Sequence, residues 1–157
     1  MLRITKQTDY GIMLLAHMAA LPPGRIVSAR DAADGTGISL PMVSKILKSL
    51  ARSNIVESHR GVGGGYSLAG PPQGTTLAGV IRALEGPISM VECGSQPGQC
   101  DQEPTCPVRV NWARVNREVE RALERVPITE MVTAEKPGNL VPLGDLSKPQ
   151  PSDRGTS

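Results

Sequence analysis

The stretch Arg60-Gly61-Val62-Gly63-Gly64-Gly65 constrains this chain more than any other segment. It separates two short runs with strand character, Ile55-Val56-Glu57-Ser58-His59 and Tyr66-Ser67-Leu68. Two short strands around a glycine-rich connection make a β-hairpin. A nucleotide site is disfavoured, because no helix follows the glycines and no Gly-Lys-Ser/Thr is present. The glycines are better explained by a tight turn between the two strands.

Three helical patterns precede the hairpin. Tyr10, Leu14, Met18 and Leu21 recur at helical spacing through Thr5–Ala20, and Leu21-Pro22-Pro23-Gly24 ends the run. Ser28 is placed to cap a short helix over Ala29–Gly35, with Gly35 and Gly37 in the following turn. Leu40–Ser53 is amphipathic, with Val43, Ile46, Leu47 and Leu50 as its inner stripe, and Pro41 suits its first turn. Helix, helix, helix and two-stranded wing is the order of a winged helix-turn-helix. Such a unit needs small residues where the helices cross (Ala32, Ala33), a glycine turn and a polar outer face. Ser28, Ser39, Pro41, Ser44, Lys45 and Lys48, with Arg60, Gly61 and Gly63 on the wing, are the candidate DNA contacts. Serines bond phosphates or base edges, and lysines supply the salt-dependent part of affinity. Arg60 is placed to enter a minor groove. The competing reading is a small helical protein with a polar surface, since helix-turn-helix shapes also occur without DNA.

Charge is distributed unevenly. Residues 1–60 hold eight Lys/Arg against four Asp/Glu, whereas 61–106 hold one against four, within a net charge of +2. The basic first part suits a polyanion, although the excess is modest. No apolar stretch approaches the ~18 residues of a membrane span, and no secretory signal is evident, so a cytoplasmic location and no membrane partner are expected. With Trp112, Tyr10 and Tyr66 as its only aromatics, the chain must build an aliphatic core. No convergent His/Asp/Glu set suggests an enzyme.

All three cysteines fall in Cys93-x6-Cys100-x5-Cys106, among Pro97, Gly98 and Pro104. An odd count argues against a disulfide scaffold, and confinement to one loop argues against core packing. Converging thiolates suit a soft metal or an iron–sulfur cluster, which usually takes four protein ligands. The close cysteine pairs of a structural zinc site are absent. A thiol redox switch and three unliganded surface thiols remain alternatives. After the hairpin, a Thr75- or Thr76-capped helix runs to about Glu85. A longer amphipathic helix follows from Pro107 to about Val126, with Val108, Trp112, Val115, Val119 and Leu123 on one face, and Thr129–Val132 can add a turn.

Ile4-Thr5, Asp9-Tyr10-Gly11, Ile38-Ser39-Leu40, the wing motif and the three-cysteine loop leading into Trp112 together resemble the IscR/NsrR superfamily of iron–sulfur transcription regulators. The resemblance covers roughly residues 1–133. Cys-Pro-Val-Arg-Val-Asn-Trp is similar to the branch that regulates the SUF iron–sulfur assembly system. The resemblance implies a mainly α, winged helix-turn-helix homodimer held by the long C-terminal helix, bound to a pseudo-palindromic DNA operator. It also implies an iron–sulfur cluster on Cys93, Cys100 and Cys106, 2Fe-2S in preference to 4Fe-4S. The fourth ligand is open. Arg109 stands where IscR-type members have histidine, His17 and His59 lie outside the loop, and the first spacing is longer than usual. Asp9 matches the aspartate that NsrR-type members donate from the other protomer; Glu92, an exogenous thiolate or water are alternatives. Ser44 replaces a glutamate that discriminates operators in IscR, so operator preference is not carried over. The expected organisation is a DNA-binding domain over 1–86, a cluster loop over 87–106, a dimerisation helix over 107–133 and a disordered tail over 134–157. The expected function is cluster-dependent regulation, as a repressor, of iron–sulfur assembly genes. The alternatives are a nitric-oxide or redox-sensing repressor of other genes and a thiol switch without a cluster.

Overall fold

Apolar spacing and end signals set each helix. The computed structural model describes residues 4–91, 98, 101 and 105–131. Helix α1 (Lys6–Ala19) buries Thr8, Gly11, Leu14, Leu15 and Met18 along one face. Helix α2 (Ala29–Thr36) starts at Ser28, whose side chain accepts from the Asp31 amide, and stops at Gly37 in the left-handed conformation, φ 72°. Gly35, expected in the turn, instead lies inside α2. A Cβ there would sit 2.6 Å from the His17 ring, so this glycine serves the close approach of α1 and α2. Helix α3 (Leu40–Arg52) carries proline in its first turn and buries Val43, Ile46, Leu47 and Leu50, as its stripe predicts.

The hairpin pairs β1 (Val56–His59) with β2 (Gly65–Leu68) antiparallel, in the register Val56↔Leu68 to His59↔Gly65. Val27 adds a third edge, exchanging two 2.8 Å backbone hydrogen bonds with Tyr66. That approach requires glycine next door, because a Cβ on Gly65 would lie 2.4 Å from the Val27 carbonyl oxygen. Helix α4 (Leu77–Glu85) is capped by Thr76, which accepts from the Gly79 amide. Helix α5 (Arg109–Glu124) begins two residues later than the sequence pattern suggested, and a 3-10 turn, Ile128–Met131, follows it.

The main core joins Leu14, Leu15, Met18, Ala32, Ala33, Val43, Ile46, Leu47, Leu50, Val56, Val80 and Ile128. Its buried residues include no aromatic, with Tyr10 and Tyr66 packed against it half-buried, and burial of each Leu or Ile side chain contributes about 1.5–3 kcal/mol. A second cluster of Ala78, Ile81 and Ile88 receives Val119 and Leu123 from α5. Arg82 of α4 reinforces that contact by ion pairs to Glu120 and, at 3.2 Å, to Glu124. Burial disfavours the Arg82 charge, but its hydrogen bonds to both glutamates outweigh this and raise its pKa. The far end of α5 is tied down as well: Leu77 N–H donates to Val126 and Ile128 N–H to Thr75, both at 2.8 Å, and Ile128 enters the main core. Among the described residues no helix is long and apolar enough to cross a membrane.

Candidate nucleic-acid interface and cysteine segment

The two helices of the helix-turn-helix differ sharply at their N-termini. In α2 the Ser28 hydroxyl accepts from the Asp31 amide at 3.0 Å and donates to the Asp31 carboxylate at 2.7 Å. That end is closed by its own side chains, and an acid sits in its first turn. The Ser28 hydroxyl, a candidate DNA contact, is thereby engaged within the chain. In α3 the N-cap Ser39 makes no side-chain capping hydrogen bond, and the first turn holds no acid. The α3 start is thus without a side-chain cap, and Ser39, Leu40 and Pro41 are exposed there, an end that suits a phosphate.

Along α3, Pro41, Lys45 and Lys48 are exposed and Ser44 is half-buried, all opposite the inner stripe. Arg30, which the sequence reading passed over, lines an open depression together with Asp34, Ser39 and Leu40. Its position in the first turn of α2, two residues after the cap, is the signal that would have found it. On the wing, Arg60, Gly61 and Gly63 are exposed, with φ 97° at Gly61 and 78° at Gly63. A hydrogen bond from Gly64 N–H to the Gly61 carbonyl closes the turn, and Val62 stands fully exposed at its tip. The wing is braced next to its turn, where His59 Nε2, at the end of β1, meets the buried Ser67 Oγ at 2.8 Å.

Cys93, Cys100 and the alternative ligand Glu92 lie outside the described residues, as does the tail from 132 onward. Cys106 is half-buried just before α5, and its carbonyl accepts from Arg109 N–H. Asp9 is exposed in the first turn of α1. Among the described residues no three His, Cys, Asp or Glu side chains converge on a metal position.

Two polar contacts near the loop were missed because they join residues far apart in sequence. Glu85, at the end of α4, caps α1 from outside: the Thr5 amide donates to it at 3.2 Å, and the Thr5 and Thr8 hydroxyls also donate. Burial pushes the Glu85 carboxyl up, but these donors prevail and hold it below the usual carboxylate range. Asn116, in the middle of α5, bonds the backbone of Met90 and the side chain of Ser89.

The chain matches the Rrf2 family, described as iron-dependent transcriptional regulators, over residues 4–134. Its fold is similar to that of CymR of B. subtilis, the global cysteine regulator, at TM-score 0.65 and 25% identity, covering 87% of this chain and 100% of that one. IscR of T. potens is similar at TM-score 0.61 and 21% identity, covering 96% and 94%. The oxidized form of S. aureus CymR shares the fold at TM-score 0.61 and 20% identity, covering 86% and 99%. A winged helix with an open α3 terminus, in a chain matched by that family over most of its length, shows that this protein belongs to the Rrf2 family of transcriptional regulators.

Proposed function

We propose that this protein is a homodimeric repressor whose operator affinity depends on an iron–sulfur cluster, 2Fe-2S, held by Cys93, Cys100 and Cys106. The observation that carries this is the family match, which spans the winged helix and the cysteine segment alike. The donor chemistry fits. Three thiolates within 14 residues are a soft set, and an exposed Asp9 can serve the cluster of the other protomer. When bound, the cluster supplies a ligand-dependent constraint on the loop between the DNA-binding unit and α5. The chain's own residues do the rest. Ser39, Pro41, Ser44, Lys45 and Lys48 meet the major groove, with Ser28 fixing α2 behind them. Arg60, Gly61 and Gly63 bring the wing to a neighbouring groove.

Dimerisation falls to the uncovered half of the α5 stripe. Val119 and Leu123 pack on α4, whereas Val108, Trp112 and Val115 remain 46%, 38% and 42% exposed. A second copy of α5 covers such a face symmetrically. The genes regulated are those of iron–sulfur assembly, a reading that rests on the likeness of Cys-Pro-Val-Arg-Val-Asn-Trp to the SUF regulators.

The similarity to CymR favours a second reading, a thiol switch without a cluster. Anaerobic purification separates them. The cluster reading expects a coloured protein containing iron and sulfide, with the Mössbauer signature of a 2Fe-2S centre. It also expects each single change, Cys93→Ala, Cys100→Ala and Cys106→Ala, to abolish loading. A colourless protein in which one cysteine is dispensable for redox-dependent DNA binding would establish the switch instead.

A further inference from the structure

The segment that leads into the cysteine loop is not held by apolar packing alone. Asn116 Oδ1 accepts from the Met90 amide at 2.8 Å, and Asn116 Nδ2 donates to Ser89 Oγ at 3.2 Å. Ser89 Oγ in turn donates to the Val91 carbonyl at 2.6 Å, and the Val91 amide lies 3.4 Å from it. Ser89 is fully buried and Ile88 beside it nearly so. Asn116, in the middle of α5, thus holds the Met90 backbone directly and reaches Val91 only through the Ser89 hydroxyl. Only Ser89 of this set is fully buried, while Met90 is exposed and Asn116 half-buried, and linked hydrogen bonds fix geometry more tightly than each does singly.

The placement gives this network a role beyond stability. Val91 is two residues before Cys93, and Cys106 is three residues before α5 begins. Both arms of the cysteine loop are therefore referred to the same helix, one by chain continuity and one by Asn116. Trp112 lies one helical turn from Asn116, and both line a cavity of about 290 Å³ with Ile88 and Val91. Trp112 also belongs to the uncovered apolar face of α5. Asn116 stands between the loop stem and that face.

We infer that Asn116, acting with Ser89, is a positioning residue that fixes the stem of the cysteine loop on α5 and so couples the state of the loop to the helix. The inference rests on the cluster reading above for what the loop binds, but the clasp itself does not require it. Asn116→Leu removes both bonds at similar volume. Asn116→Asp keeps an acceptor for the Met90 amide and loses the donor to Ser89, so it should fall between the two.

The test uses the full-length protein without cluster, for which Trp112 is the only tryptophan. In Asn116→Leu, exchange of the Met90 amide should quicken about tenfold, because that exposed amide loses its hydrogen-bond acceptor. Acrylamide quenching of Trp112 should rise with it, while far-UV dichroism and the exchange of α3 amides stay as in the parent. In the loaded protein the same variant should lose iron several-fold faster and alter the visible dichroism of the cluster. Unchanged Met90 exchange and Trp112 quenching would overturn the clasp. Faster exchange with an unaltered cluster spectrum and unaltered iron loss would overturn the coupling. If the parent binds no iron or sulfide, the cluster reading fails separately. The alkylation rate of Cys93 in the unloaded protein then decides: a several-fold change in Asn116→Leu supports positioning, and an unchanged rate refutes it.

Discussion

Single residues show how far side-chain type alone predicts role. Ser28 and Ser39 are both serines at helix starts, and the sequence treats them alike. The structure separates them because Asp31 engages the Ser28 hydroxyl, whereas no acid follows Ser39. Lys45 and Arg60 are exposed, on α3 and at the wing turn. Replacing either with alanine should weaken operator binding and reduce the slope of log affinity against log salt by about 1. Filter-binding titrations across salt concentrations check this, and unchanged slopes in both variants would displace the wing and α3 from the DNA. Glu85 was invisible to pattern reading, since its partners Thr5 and Thr8 lie some eighty positions away in sequence. Its carboxyl is lowered in the folded protein. The stabilisation it gives is therefore present above the ordinary carboxylate pKa and is lost as pH falls through the folded-state value. Glu85→Gln should melt below the parent at neutral pH, and the gap should narrow in thermal melts taken progressively below the ordinary carboxylate pKa.

At the scale of elements, legibility followed the number of partners each element has within the chain. Helix α3 has its whole stripe covered by α1, α2 and α4, so Val43, Ile46, Leu47 and Leu50 were identifiable from spacing and are all fully buried. The wing was legible because glycines at positive φ are required at Gly61 and Gly63 and rarely serve elsewhere so densely. Helix α5 was legible as a helix but not in its packing. Its single apolar stripe divides between α4, which takes Val119 and Leu123, and a face left open at Trp112 and Val115. Periodicity reports which residues avoid water and is silent on what shields them. If α5 forms the proposed dimer interface, the parent should sediment as a dimer and Val115→Asp as a monomer, with the main core intact. The variant's operator affinity should fall by at least tenfold, because one half-site is then engaged at a time. A Val115→Asp protein that remains dimeric would remove α5 from the interface.

At the scale of the molecule, the two functions expected of the chain are joined through α5. Arg82 and the second apolar cluster attach α5 to α4, the bonds at Thr75 and Leu77 lock its far end, and Ile128 enters the core of the winged helix. The winged helix and α5 are therefore packed on one another, and under the proposed function a change in the loop before α5 would be conveyed to both. The measurement that tests this account most directly is operator binding by one anaerobic preparation, before and after its cluster is removed by chelation. The account predicts at least a tenfold difference in affinity between the two forms, with the dimer retained in both. Equal affinities for the operator, with iron and sulfide verified in the first sample and absent from the second, would contradict it.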